Sequence, residues 1–346
     1  MGHIKRFAAD FGLPRMIIAV YLLGLFLMAP MTGVSFSGAL SDVFTRIGMN
    51  GILVLALVPM IQSGCGLNFG LSLGVIAGLL GATVSIEMGY VGVWGFVFAI
   101  LASQAFGAIF GFGYGVLLNR VKGGEMMIAT YVGFSSVMIM SIAWLALPFK
   151  SPVMIWGYGG EGLRTTISVE GFWRHILNDF LSFQLAGHKF PTGAILFFLL
   201  VSLVIWAFFH LKIGTAMTAV GSNPIYARAS GIDINKMRII SVVISTMLGA
   251  MGIIVYQQSF GFIQLYDGPL YMAFPAVAAI LIGGAGVNKA SLTNVFLGVV
   301  LYQGILTMTP LIFNAVLKLD MSDVIRIIVS NGMILYALTR KTKVLK

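Results

Sequence analysis

Charge is what this sequence has least of. Asp, Glu, Lys and Arg together make up 9% of its 346 residues, against about 25% in a soluble domain. Hydrophobic residues make up 59%. A water-soluble fold of this length could not hide that much apolar surface, whereas a bilayer solvates such side chains from outside. Cysteine is nearly absent as well. The single Cys65 excludes an intramolecular disulfide and a cysteine-built metal site. The four histidines, His3, His175, His188 and His210, lie too far apart to give metal-ligand spacing. No G-x-x-x-x-G-K-[ST] stretch occurs, so the chain lacks the loop that cradles nucleotide phosphates. It is not expected to be an enzyme or to bind a cofactor of its own.

Acids are missing from a second place. All eleven Asp and Glu residues fall in expected loops or at the ends of expected spans, Asp42, Glu87, Glu125 and Asp233 among them. Carriers driven by protons or sodium commonly keep a carboxylate at mid-membrane, where it is costly unless it works. Its absence counts against an ion-coupled carrier and against a channel with an acidic filter. A neutral, polar solute is left open.

What is present is a series of apolar runs, with 43 glycines that let helices approach closely. Runs near the ~20 residues a span requires are Pro14–Met31, Ile47–Ser63, Leu67–Ser85, Val91–Leu118, Met126–Leu147, Thr192–His210, Ile239–Gln258, Leu270–Gly286, Ser291–Thr309 and Val324–Thr339. The expected fold class is therefore all-α and polytopic, with about ten transmembrane helices in a single domain over residues 1–346. Some of the helices are expected to be broken. The basic Met1–Phe7 segment precedes the first run without a small-x-small cleavage site and is read as the start of an uncleaved first helix. Ten spans put both termini on one side. Fourteen of the 21 Lys and Arg residues fall on that side, from Lys5 and Arg6 through Lys122 and Arg228 to Lys346. The bias makes it cytosolic. The net charge of +10 is thereby read as loop charge, not as a nucleic-acid footprint. Arg46 and Arg326 count among the external loop charges. Phe149–Pro191 is a polar external loop, irregular in part around Gly157–Gly162, and Leu211–Arg238 is a cytosolic one.

The cytosolic loop has its own grammar. Ser222 or Asn223 can cap a helix, Pro224 suits its first position, and Gly231 suits the left-handed residue that ends it. A helix over Pro224–Ser230 is expected, with Asp233 capping the next. So short a helix needs a surface to pack on. Its own bundle is one candidate and a soluble partner is the other.

The run Gly221-Ser222-Asn223-Pro224-Ile225-Tyr226-Ala227-Arg228-Ala229-Ser230-Gly231-Ile232-Asp233 resembles the cytosolic loop of permeases in the ribose-type and branched-chain amino-acid-type ABC importer family. Leu281-Ile282-Gly283-Gly284-Ala285-Gly286 resembles that family's glycine-rich segment. Asn119-Arg120, with Lys122, resembles an earlier cytosolic turn. Gly64-Cys65-Gly66-Leu67-Asn68-Phe69-Gly70 resembles its glycine-rich break, with Asn68 where an Asp is common. The resemblance implies about ten spans in two inverted halves, although no repeat is legible in the letters. It further implies that Gly221, Asn223, Pro224, Ala227, Arg228 and Gly231 belong to a coupling helix that docks on cytosolic ABC ATPase subunits. ATP and Mg would be used by those subunits. A second permease, identical or similar, and an extracytoplasmic solute-binding protein would complete the assembly in a bacterial inner membrane. The solute class implied is a monosaccharide first and a nucleoside next.

A polar solute needs polar contacts inside the bundle, and broken helices supply them. Gln62, Ser63 and Asn68 near the first break, Gln104 in the fourth span, and Tyr256, Gln257, Gln258 and Ser259 at the end of the seventh are the candidates. The same side chains would serve equally to bond helices together. Phe260, Phe262, Tyr266 and Tyr271 suit either ring stacking on a solute or an interfacial belt. An ion-coupled carrier acting alone, and a scaffold that transports nothing, are the competing readings.

Overall fold

A computed structural model describes residues 13–121, 123–156, 162–318 and 320–339. Met1–Phe7, Asp10, Lys122, residues 157–161 and residues 340–346, which entered the charge and loop readings above, lie outside them. The regular structure of the described residues is helical apart from two small two-stranded sheets.

The helices are α1 (Leu13–Met28), α2 (Phe36–Leu55), α3 (Val58–Gln62), α4 (Leu71–Glu87), α5 (Gly92–Arg120) and α6 (Glu125–Ala146). After the long polar loop with its short α7 (Ile176–Asp179) come α8 (Thr192–His210), α9 (Lys212–Ser222) and α10 (Pro224–Ala229). The series ends with α11 (Ile234–Phe260), α12 (Ala273–Ile282), α13 (Leu292–Leu317) and α14 (Ser322–Thr339). Each of the ten apolar runs coincides with a helix. Among the described residues six helices are long and apolar enough to cross a bilayer, α2 and α3 counting as one rod, and three shorter apolar helices accompany them. The protein is an all-α polytopic membrane protein.

The second span differs most from its expected bounds. Its helix starts at Phe36, capped by the Ser35 hydroxyl, which accepts from Gly38 N at 3.0 Å. The expected start was Ile47, because Ser41, Asp42, Thr45 and Arg46 read as loop. Those residues form a polar stripe that meets a cavity instead of lipid. Arg46 and Arg326 accordingly lie within α2 and α14, not in external loops. Pro59 joins α2 to α3 at a kink, since it cannot donate to the preceding turn.

Two breaks divide the bundle. In the first, residues 63–70, Gly64 and Gly66 take φ of +75° and +80°, which only glycine adopts freely. In the second, residues 261–272, Gly261 ends α11 with φ +89° and a turn of 3-10 helix runs over Gly268–Tyr271. The breaks meet inside the molecule. Ser72 Oγ donates to Pro269 O at 2.8 Å, and the Phe69 and Phe274 rings lie 5.6 Å apart.

Around these breaks the fold repeats itself. The rod α2–α3 is followed by a break, then α4, then α5. Helix α11 is followed by a break, then α12, then α13, and it runs antiparallel to the α2–α3 rod, with Leu53 against Gly252 and Ser63 against Ser241. In each unit the short helix packs on the next long one, and each first helix packs on the other unit's last, α11 on α5 and α2 on α13. The two units meet where α2 packs on α11. This is an inverted repeat carried by geometry, with no counterpart in the letters.

Small residues allow the tightest contacts. A Cβ on Gly78 of α4 would overlap Ile253 of α11, and one on Gly111 of α5 would lie 2.8 Å from the Val243 Cα. Close helix approach through glycine is the usual membrane solution, because lipid supplies no hydrophobic drive between helices.

The polar loop after α6 is more ordered than expected. Strand β1 (Thr166–Ser168) pairs antiparallel with β4 (Phe262–Gln264), and β2 (Phe183–Leu185) forms a hairpin with β3 (His188–Phe190). Trp173 from this loop is fully buried beside Phe96. The loop closes one end of the bundle, and α9 and α10 sit at the other.

Candidate functional site

Two features stand out, a loop built to project from one end of the bundle and a polar cavity within it.

The loop begins with α9, which sequence reading missed because Gly214 and Gly221 argue against a helix. It continues into α10. Asn223 Oδ1 accepts from Tyr226 N at 3.0 Å, Pro224 takes the first helical position, and Gly231 adopts φ +80° just past the end. Asp233 Oδ1 accepts from Lys236 N at 3.1 Å and starts α11. Ala227 faces inward and is fully buried against Val220 and Met237. Ile225 and Tyr226 face outward, 85% and 68% exposed, with Arg228 also exposed. The helix packs on its own bundle through one face and offers an apolar face beside a cation through the other.

The loop is seated directly on the first break. A Cβ built on Gly64 would lie 3.2 Å from the Gly221 Cα, and one on Gly221 would overlap the Gln62 carbonyl oxygen. Gln62 adds a bridge. Its Oε1 accepts from Thr218 of α9 at 2.7 Å, while its Nε2 donates to Ala290 O, beyond α12, at 2.6 Å.

The cavity, of about 660 Å³, lies between α2, α11, α12, α13 and α14. Asp42, Arg46 and Asn50 reach it from α2, Tyr256 and Ser259 from α11, Gln303 and Thr307 from α13, and Arg326 from α14. It extends from Phe260 and Gln264, near the polar loop, to Leu53 and Val54, well past the middle of the α2–α3 rod. A second cavity of about 600 Å³ shares Asp42, Thr45, Ser259 and Leu311 with it and reaches His188 and Lys189 on the hairpin.

Among the path candidates, Tyr256 and Ser259 line this cavity. Gln62 joins the two ends of the loop seat, as above. Ser63 Oγ lies 2.7 Å from Ser241 Oγ. Asn68, fully buried, accepts from Tyr114 OH at 3.1 Å and donates to Ser245 Oγ at 2.9 Å. Gln104 Nε2 donates to Met247 O at 3.1 Å, joining α5 to α11. Gln258 Oε1 accepts from Leu177 N at 3.2 Å and so holds the polar loop. Gln257 is buried, and neither atom of its amide has a hydrogen-bond partner among the described residues. Of the aromatic candidates, Phe260 and Tyr271 line the cavity, Phe262 packs edge-on against Phe260, and Tyr266 OH donates to Leu163 O at 3.1 Å.

Sequence reading missed Asp42, Arg46, Asn50, Gln303, Thr307 and Arg326. Gln303 and Thr307 stand one turn apart in an apolar run, a signal that was there to find. At the head of α14, Asp320 is hydrogen-bonded to the Ser322 hydroxyl and backbone N–H and to Asn314, which holds its carboxyl below the usual carboxylate range. Among the described residues no cluster of His, Cys, Asp and Glu could hold a metal ion.

Residues 39–336 match the family model described as branched-chain amino acid transport system, permease component. The chain belongs to this permease family. The match takes in nearly all of both units, the α9–α10 loop and every residue lining the 660 Å³ cavity, and leaves out α1. No curated protein and no solved structure matches the chain. A permease of this family is a non-catalytic membrane subunit.

Proposed function

We propose that this permease is the membrane subunit of an ATP-binding-cassette importer that moves a small polar solute into the bacterial cytoplasm by ATP-driven alternating access. The α10 end faces the cytosol, both termini are cytosolic, and the polar loop faces outward. Cytosolic ATPase subunits hydrolyse Mg-bound ATP, a second permease pairs with this one, and an extracytoplasmic binding protein delivers the solute. A monosaccharide is the first solute class and a nucleoside the second.

The observation that carries this reading is the seat of α10. A rigid helix exposes Ile225, Tyr226 and Arg228, and its foot rests on the Gln62–Gly64 backbone. A partner that grips the exposed face and moves would push on the first break through Gly221. Through Gln62 and Ala290 it would push on the segment after α12 as well. Short helices and breaks at the interface of inverted repeats are where transporters reorient. A two-state bundle biased by nucleotide at its partner then exposes the cavity to one side or the other.

Asp42 favours a second reading. A carboxylate on a membrane helix, facing a cavity, is what an ion-coupled carrier uses. One experiment separates the two. Uptake into vesicles that requires internal ATP and survives collapse of the proton gradient supports the importer. Uptake by this chain alone, driven by an ion gradient, supports the carrier and overturns the importer.

A further inference from the structure

We propose that the transported solute carries an anionic group, a carboxylate or a phosphate, which Arg46 and Arg326, both lining the 660 Å³ cavity, bind together. The proposal rests on the transport reading and narrows its solute class.

Arg46 is the eleventh residue of α2, about 15 Å along the helix from Phe36 at 1.5 Å per residue. A guanidinium at such a position is expensive and persists where it is paired or where it works. The Arg46 guanidinium makes no hydrogen bond and no ion pair with any described residue. Asp42, one turn earlier, is the single acid among the residues lining the cavity, and it stands outside ion-pair distance. Arg326 has one ion partner, Asp323, 3.5 Å away on its own helix with a side chain 91% exposed. A pair so open to solvent is weak, and Arg326 Nε is buried with no hydrogen-bond partner. Arg46 and Arg326 are close enough to repel each other. Two cations kept together against repulsion, with a single unpaired acid nearby, leave the cavity with an excess of positive charge for a ligand to neutralise.

The rest of the lining fits an organic anion and not a bare ion. Guanidinium forks match carboxylate and phosphate geometry. Asn50, Gln264, Gln303 and Thr307 supply hydrogen bonds for hydroxyls, and Tyr256 and Tyr302 supply ring faces. The volume lies in the range of small-molecule sites. Sugar acids and phosphorylated sugars share this chemistry.

The test is thermal unfolding of the full-length permease in detergent, at constant ionic strength set with sodium chloride. The probes are D-gluconate, inorganic phosphate, D-glucose and phosphatidylglycerol. Gluconate or phosphate is expected to raise the melting temperature of the wild type, with no response to glucose. Arg46→Gln and Arg326→Gln should each raise the half-saturating concentration by roughly tenfold or more. Arg46→Lys should keep part of the response, which guards against a variant that merely misfolds. An equal response in both Gln variants, or no response to either anion in the wild type, overturns the proposal. So does a response to phosphatidylglycerol alone, which assigns the arginines to a lipid headgroup. ATP-driven uptake without an anion response removes only this inference. An anion response without ATP-driven uptake removes the importer reading instead.

Discussion

Gly221 lies against Gly64, and a Cβ on Gly221 would overlap the Gln62 carbonyl oxygen while one on Gly64 would sit 3.2 Å from the Gly221 Cα. Through this contact the last residues of α9 touch the first break of the bundle. The contact is made by backbone on both sides. Gly221→Ala is expected to destabilise the protein by about 1–3 kcal/mol, the range for overpacking a tight contact. It should also lower ATP-driven uptake. Gly24→Ala on α1, where the space around the glycine is open, is the control and should change neither. Thermal unfolding and uptake on the two variants check this.

Asn68 is a second case of fixed chemistry. Ser245 Oγ already donates to Ala56 O at 2.6 Å, so it needs a donor from its other side, and Asn68 Nδ2 provides one. A carboxylate there would set acceptor against acceptor. Asn68→Asp should therefore cost about 1–3 kcal/mol at neutral pH. Burial raises the folded pKa of an introduced carboxyl above its unfolded value of about 4. The cost is absent where the group is protonated in both states and grows as pH rises above that unfolded value. Melting curves from acidic to neutral pH show the loss growing with pH if this is right.

Arg238 and Glu125 form an ion pair whose side chains are 10% and 18% exposed. It ties α11 to the start of α6, and Arg238 Nε also donates to Cys65 Sγ at 3.3 Å in the first break. Both residues read as loop charges from sequence. Glu125→Gln is expected to cost about 3 kcal/mol or more, because it leaves a largely buried guanidinium without its counter-charge. The double variant Glu125→Leu with Arg238→Met should recover much of that loss. A double variant no more stable than the single one would contradict this account of the pair.

How far the sequence spoke depended on how local the signal was. The bounds of α8 were legible because an apolar run sits between Pro191 and Lys212. The α10 turn was legible because Asn223, Pro224 and Gly231 act on the neighbouring backbone alone. The first turns of α2 were not, because Asp42 and Arg46 face a cavity made with four other helices. Gln62, Asn68 and Gln258 looked like path residues for the same reason. An amide in a membrane helix is either a solute contact or a bond between helices, and only the tertiary neighbour decides which. The inverted repeat is invisible in the letters because packing direction and breaks define it, and many apolar residues satisfy both.

In the proposed importer, α10 couples this permease to an ATPase. The most direct measurement is the ratio of solute uptake to ATP hydrolysis in proteoliposomes holding the complete transporter, compared between the wild type and variants of the exposed face. Arg228→Glu, and Pro224→Ala with Gly231→Val, should insert and fold yet lose uptake per ATP hydrolysed. Wild-type coupling in both would contradict the account.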